Sequence, residues 1–90
     1  MVWKIITASS FSKSFQKYKR DKEVTRVLDK KLERLKEDPL SVGGWLAGQL
    51  SGHKSTRITR KLRLVFYPEN KTKSVFLIGL DHRKFNYERF

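Results

Sequence analysis

Residues 50–67 read LSGHKSTRITRKLRLVFY, a stretch that sets Lys54, Arg57, Arg60, Lys61 and Arg63 among strand-forming residues. Its second arm alternates. Leu62, Leu64 and Phe66 fall on one side and Arg63, Val65 and Tyr67 on the other, the period of a strand with one face on a core. In the first arm Ile58 is the apolar residue and joins the core side, which turns Ser55, Arg57 and Thr59 away. The two arms therefore predict a basic hairpin with Arg57 and Arg63 together on its open face.

Working outward, Val2 to Thr7 reads as a short strand that pairs with the later sheet. Phe11, Phe15 and Tyr18 then recur at helical spacing after the hydroxyl caps of Ala8 to Ser10. Asp21 caps a second helix whose stripe of Val24, Val27, Leu28, Leu32 and Leu35 is interrupted by Lys31 and stops at Asp38, because Pro39 disfavours a helical residue before it. The two helices form an antiparallel hairpin across one sheet face. Their outer faces carry Lys13, Lys17, Lys30, Arg34 and Lys36 beside Glu23, Asp29, Glu33 and Glu37, and read as solvated. Pro39 to Gly48 is a loop in which Trp45 either plugs the end of the core, the preferred reading, or offers a stacking platform at a groove rim. Pro68 and a polar turn at Glu69 to Thr72 precede a last strand, Lys73 to His82. Phe76, Ile78 and Leu80 form its expected core face, leaving Leu77, Gly79, Asp81 and Arg83 on the open side. Gly79 marks either a close approach or a bulge. The expected fold is α+β: a small antiparallel sheet of about four strands, in chain order β-α-α-β-β-β, with the helical hairpin on one face and a basic open face.

Ninety residues build one hydrophobic core, so a single domain spanning 1–90 is expected. There is no cysteine for a disulfide or thiolate site, and no run of apolar residues suits a membrane span; a soluble cytoplasmic protein is the default. Lys and Arg number 21 against nine acids, a net charge of +12, which calls for a polyanionic partner. Nucleic acid comes first, and an acidic protein is compatible with it. A membrane partner is disfavoured, since the densest charge lies on strands and not on an amphipathic helix.

Two histidines and scattered acids make no metal-ligand cluster, no glycine loop has the context of a phosphate cradle, and no Ser, His and Asp arrangement stands out. No cofactor is implied. What remains is the cationic and aromatic set Lys54, Arg57, Arg60, Lys61, Arg63, His82, Arg83 and Tyr87, with Lys84 in the same basic tail. Such a set suits attack of an RNA 2'-hydroxyl on its own phosphodiester, because RNA brings the nucleophile. The protein then has to position the phosphate, stabilise the extra charge of the transition state and manage two protons. Arginine serves the charge. His82 can exchange a proton near neutral pH, and Tyr87 can do so where cationic neighbours lower its pKa. The plainer alternatives are that His82 closes the last strand or lies on its core face, and that Tyr87 packs with Phe85 or Phe90. His53, beside Gly52 in a turn, reads as structural or solvent-exposed and not as a proton carrier.

The run LAGQLSGHKSTRITRKLRLVFY, Leu46 to Tyr67, resembles the RelE/YoeB toxins, in which an LxGxLSG-like approach leads into an RI strand and an RLVY strand. The tail HRKFNY, His82 to Tyr87, resembles the His-Arg then Tyr ending of the RelE/ParE superfamily. The resemblance implies a single RelE-like toxin domain of a type II toxin-antitoxin pair, a metal-independent endoribonuclease that cuts mRNA in the A site of the 70S ribosome. Its partners would be the ribosome with its mRNA and rRNA, and a cognate acidic antitoxin. It places Arg63 by the scissile phosphate, makes Arg83 and Tyr87 functional positions of the tail, and puts Lys54 and Arg57 in an RNA-contacting strand. One departure is visible. YoeB-type members carry a catalytic glutamate where this chain has Gly44, and no acid lies between Pro39 and Tyr67. A RelE-like use of cationic groups, with His82 or Tyr87 moving protons, is the expectation. The rivals are a ParE-like gyrase inhibitor that binds protein without cutting RNA, and a noncatalytic ribosome- or RNA-binding module.

Overall fold

The computed structural model describes residues 2–82, over which the chain forms β1 (Lys4–Thr7), α1 (Ser9–Phe15), α2 (Lys22–Glu37), β2 (Gly44–Trp45), β3 (Lys54–Arg57), β4 (Leu62–Glu69) and β5 (Ser74–His82). Asp21 caps α2 as its position predicts: its carboxylate accepts from the N–H groups of Glu23 and Val24 at 3.0 and 3.2 Å. The helix ends at Glu37, two residues before Pro39. Phe11 of α1 and Val24, Leu28 and Leu35 of α2 join Trp3, Leu62, Leu64, Phe66, Val75, Leu77 and Leu80 in one core on the helix side of the sheet.

The sheet has five strands in the order β1-β5-β4-β3-β2 and is mixed, so the expected four-stranded antiparallel sheet needs two corrections. β1 runs parallel to β5, from Lys4 opposite Ser74 to Thr7 opposite Leu77. Its direction is set by where the two helices return the chain, which no local residue pattern encodes. β2 is a fifth, antiparallel strand of two residues, Gly44 opposite Ser55 and Trp45 opposite Lys54, too short to show a period.

A third correction concerns β5. Val75, Leu77 and Leu80 face the core, whereas Phe76 and Ile78 are only half-buried. The cause is a bulge. Val65 pairs with Gly79 but its neighbour Phe66 pairs with Leu77, so Ile78 is the extra residue and parity reverses around it. Of the two readings of Gly79, the bulge is the one observed. Leu80 inward, with Gly79 and Asp81 on the open side, holds as expected.

Beyond Leu77, β1 no longer covers the edge of β5, and α1 takes over. The Ala8 N–H donates to the Leu77 carbonyl at 2.9 Å, the Ser10 hydroxyl donates to the Ile78 carbonyl, and the Leu80 N–H donates to Ser14 Oγ at 2.9 Å. Ser14 in turn donates within its own helix, to the carbonyls of Ser10 and Phe11. The serines of α1 thus complete the hydrogen bonding of a strand that would otherwise end unpaired.

Gly43, entering β2, has φ +68°, and a Cβ there would run into the Ser55 backbone carbonyl; at Gly44 it would meet nothing. Gly43→Ala should therefore destabilise the protein by about 3 kcal/mol in urea unfolding, and Gly44→Ala by less than about 0.5 kcal/mol.

Candidate functional site

Arg57 on β3 pairs with Arg63 on β4, and Arg63 pairs with Asp81 on β5, so these three residues form one row across the open face. Arg57 is exposed, Arg63 half-buried and Asp81 buried. Two arginines opposite each other repel, at a cost of some tenths of a kcal/mol, and Asp81 on the other flank offsets part of that. The turn from Ile58 to Lys61 is closed by the Ile58 and Thr59 N–H groups on the Leu62 carbonyl at 2.8 and 3.1 Å, and by the Leu62 N–H on Thr59 Oγ1 at 3.2 Å. It holds Arg60 and Lys61 exposed at the hairpin tip, next to the row. Farther along the same face the surface is not open. Val65 is fully buried, Tyr67 lies 6.5 Å from Phe76 between ring centres, and His53 packs edge-on against Tyr67 at 4.9 Å. The basic face is thereby confined to the hairpin-tip end, and His53 is the structural residue that its turn position suggested.

Lys54 is a correction. It was expected among the RNA-contacting cations, yet its side chain is 2% exposed and points to the core side of the hairpin. Its ammonium donates to the carbonyl of Leu40 at 2.6 Å and of Pro39 at 3.4 Å, and lies 4.8 Å over the Trp45 ring. Burial lowers its pKa from the usual lysine value, and the nearby Asp38 carboxylate partly opposes that shift. Parity explains the placement: Lys54 and Thr56 share a face with Ile58. Trp45 is also corrected, being 60% exposed and no plug. As Lys54's partner on the edge strand β2, it gives the amine a cation–π lid and leaves its outer surface bare.

His82 enters only through its backbone, paired with Leu62; Arg83, Lys84 and Tyr87 lie outside the described residues. Among the described residues no group of three or more His, Asp or Glu side chains could hold a metal ion. Nor is any helix long and apolar enough to cross a membrane.

No model of a sequence family matches the chain. No curated protein sequence matches it either. The similarity lies in three dimensions. A chain of the toxin–antitoxin complex RelBE2 from Mycobacterium tuberculosis superposes with a TM-score of 0.77 at 22% identity, over 92% of this chain and 100% of the other. A YoeB/ParE toxin from Agrobacterium tumefaciens gives 0.79 at 20% identity, over 89% and 98%. The fold is that of the RelE/YoeB-like toxins. YafQ from E. coli, at 13% identity, shares it with a TM-score of 0.75 over 91% of this chain and 94% of its own.

Within this RelE/YoeB-like fold the row offers forked cationic donors at a half-covered surface, an arrangement that binds and charge-stabilises a phosphate. Asp81 is the residue to which sequence reasoning gave no role. Its signal was present, since it shares strand parity with Gly79, and only the pairing of β4 with β5 brings it beside Arg63.

Two outcomes follow from this geometry. Arg57→Ser should stabilise the fold by about 0.5 kcal/mol in urea unfolding by relieving the cross-strand repulsion, while the salt slope of single-stranded RNA binding falls by about 0.7. Lys54→Met should cost about 1–2 kcal/mol at pH 7, because it leaves the two carbonyls without their donor. With the folded-state pKa lowered, the unfolded chain binds the extra proton in the window just below 10.5, so wild-type stability relative to Lys54→Met should rise as pH climbs through that window. Parallel melts from pH 7 upward check the sign.

Proposed function

We propose that this protein is the toxin of a type II toxin-antitoxin system, acting in the cytoplasm as a metal-independent endoribonuclease on mRNA in the ribosomal A site. The observation that carries the reading is the opposed pair Arg57 and Arg63 on the open face of a RelE/YoeB-like fold. In the reaction, the 2'-oxygen of one nucleotide bonds to the adjacent phosphorus as its proton leaves. The bond from phosphorus to the 5'-oxygen of the next nucleotide breaks, and that oxygen takes up a proton. The products are a 2',3'-cyclic phosphate and a 5'-hydroxyl end.

Arg63 stabilises the additional negative charge on the phosphorane oxygens, and the half-cover around it raises the value of that interaction above what it has in water. Arg57, Arg60 and Lys61 hold the flanking backbone, with Lys84 from the tail. Proton transfer falls to the tail, to His82 or Tyr87 with Arg83 close by in sequence. The protein partner is an acidic antitoxin that covers the basic face, a reading supported by RelBE2 being a toxin–antitoxin complex.

Arg63→Ala should lower the rate of mRNA cleavage in a translating extract by about 10²–10³-fold, with thermal unfolding changed little. Wild-type protein that makes no cuts there yet arrests supercoiling by purified gyrase would establish the ParE-like activity in its place.

A further inference from the structure

The serines that fasten α1 to β5 lie beside two lysines, Lys13 on α1 and Lys17 in the turn that follows it, whose N–H donates to the Ser14 carbonyl at 3.2 Å. Lys13 and Lys17 line a cavity of about 370 Å³ whose other side is formed by Leu80 and Asp81. Both lysines are exposed, and neither has an ion-pair partner among the described residues.

Asp81 belongs both to this cavity and to the row of Arg57 and Arg63. With strands about 4.8 Å apart, the row spans roughly 10 Å from Arg57 to Asp81, and the cavity begins where the row ends. Cationic groups thus flank Asp81 on both sides, Arg63 and Arg57 along the row toward the hairpin tip and Lys13 and Lys17 across the cavity. We infer that Lys13 and Lys17 form a subsite for the sugar–phosphate backbone of single-stranded RNA flanking the nucleotide step held at Arg63, an inference that rests on the ribonuclease reading above.

The cavity wall has the character such a ligand needs. Its one large apolar residue among the described residues, Leu80, is 3% exposed and offers an incoming protein no apolar anchor, whereas protein interfaces depend on apolar and aromatic anchors. Ammonium groups on flexible stems suit phosphates whose exact position varies with the sequence bound.

The test compares the wild type, Lys13→Gln/Lys17→Gln, Lys13→Arg/Lys17→Arg, and the charge-matched control Lys22→Gln/Lys30→Gln on α2. Each is measured for the salt dependence of binding to a single-stranded RNA carrying 2'-O-methyl groups, which cannot be cut by the proposed reaction, and for mRNA cleavage in a translating extract. The α1 glutamine pair should lose about 1.4 from the log–log salt slope, as two phosphate contacts on a single strand require. The arginine pair should restore the slope, and the α2 pair should change it by much less. If the wild type cleaves mRNA but the α1 and α2 glutamine pairs are indistinguishable, the subsite is wrong and the ribonuclease reading stands. A wild type that neither binds RNA nor cleaves overturns both. If the α1 pair instead weakens binding of a polyglutamate peptide with RNA binding unchanged, the cavity belongs to an acidic protein segment and the inference fails.

Discussion

The pairing of β4 with β5, slipped once between Val65 and Phe66, is the constraint on which both faces of the sheet depend. On the near side of the slip, Phe66 meets Leu77 and Pro68 meets Val75, which fills the core beneath the helices. On the far side, Leu64 still meets Leu80 in the core, and Arg63 meets Asp81 on the other face. Without the extra residue Ile78, one half of β5 would turn its apolar side chains outward, because a one-residue shift exchanges the two faces of a strand. Placing the bulge at Ile78 and Gly79 satisfies both halves. The Ile78 carbonyl is not left unpaired by the distortion, since Ser10 of α1 donates to it.

That dependence explains which parts of the fold could be read from residues alone. Asp21, the α2 stripe and the alternation of β4 are local patterns, each contained within a few turns or one strand, and each appears where it was expected. β5 offered no such pattern at its start. Val75, Phe76, Leu77 and Ile78 are all apolar, so either parity was consistent with a core face and only the pairing partner decides between them. The parallel direction of β1 and the two-residue β2 are likewise set by contacts remote in sequence. The tail assigned to proton transfer lies outside the described residues, so the legible part of the site is its charge and its position.

Lys54 shows a different failure. The parity of Ile58 already placed positions 54, 56 and 58 on one side, but a lysine in a basic strand was counted with the other cations by composition. Position outweighs type here: burying the ammonium is tolerable because two carbonyls, a ring face and Asp38 replace part of its hydration. The consequence reaches the loop, since the same amine ties Pro39 and Leu40 to the hairpin from the side opposite the charged row. One strand thus spends one cation on holding the fold and leaves another, Arg57, exposed for a partner.

The row itself is poorly designed for stability and well designed for a polyanion. Opposed arginines raise the energy of the free protein, and a bound phosphate lowers it, so part of the binding energy is relief of a repulsion already present. Asp81 sets how far this goes. Placed beside Arg63 and not beside Arg57, it leaves the outer arginine uncompensated and gives the inner, half-buried one a neighbour of opposite charge. A phosphate arriving between the two arginines meets a half-buried donor on one side and an exposed one on the other, and the half-buried one is the donor whose interaction can strengthen as charge develops.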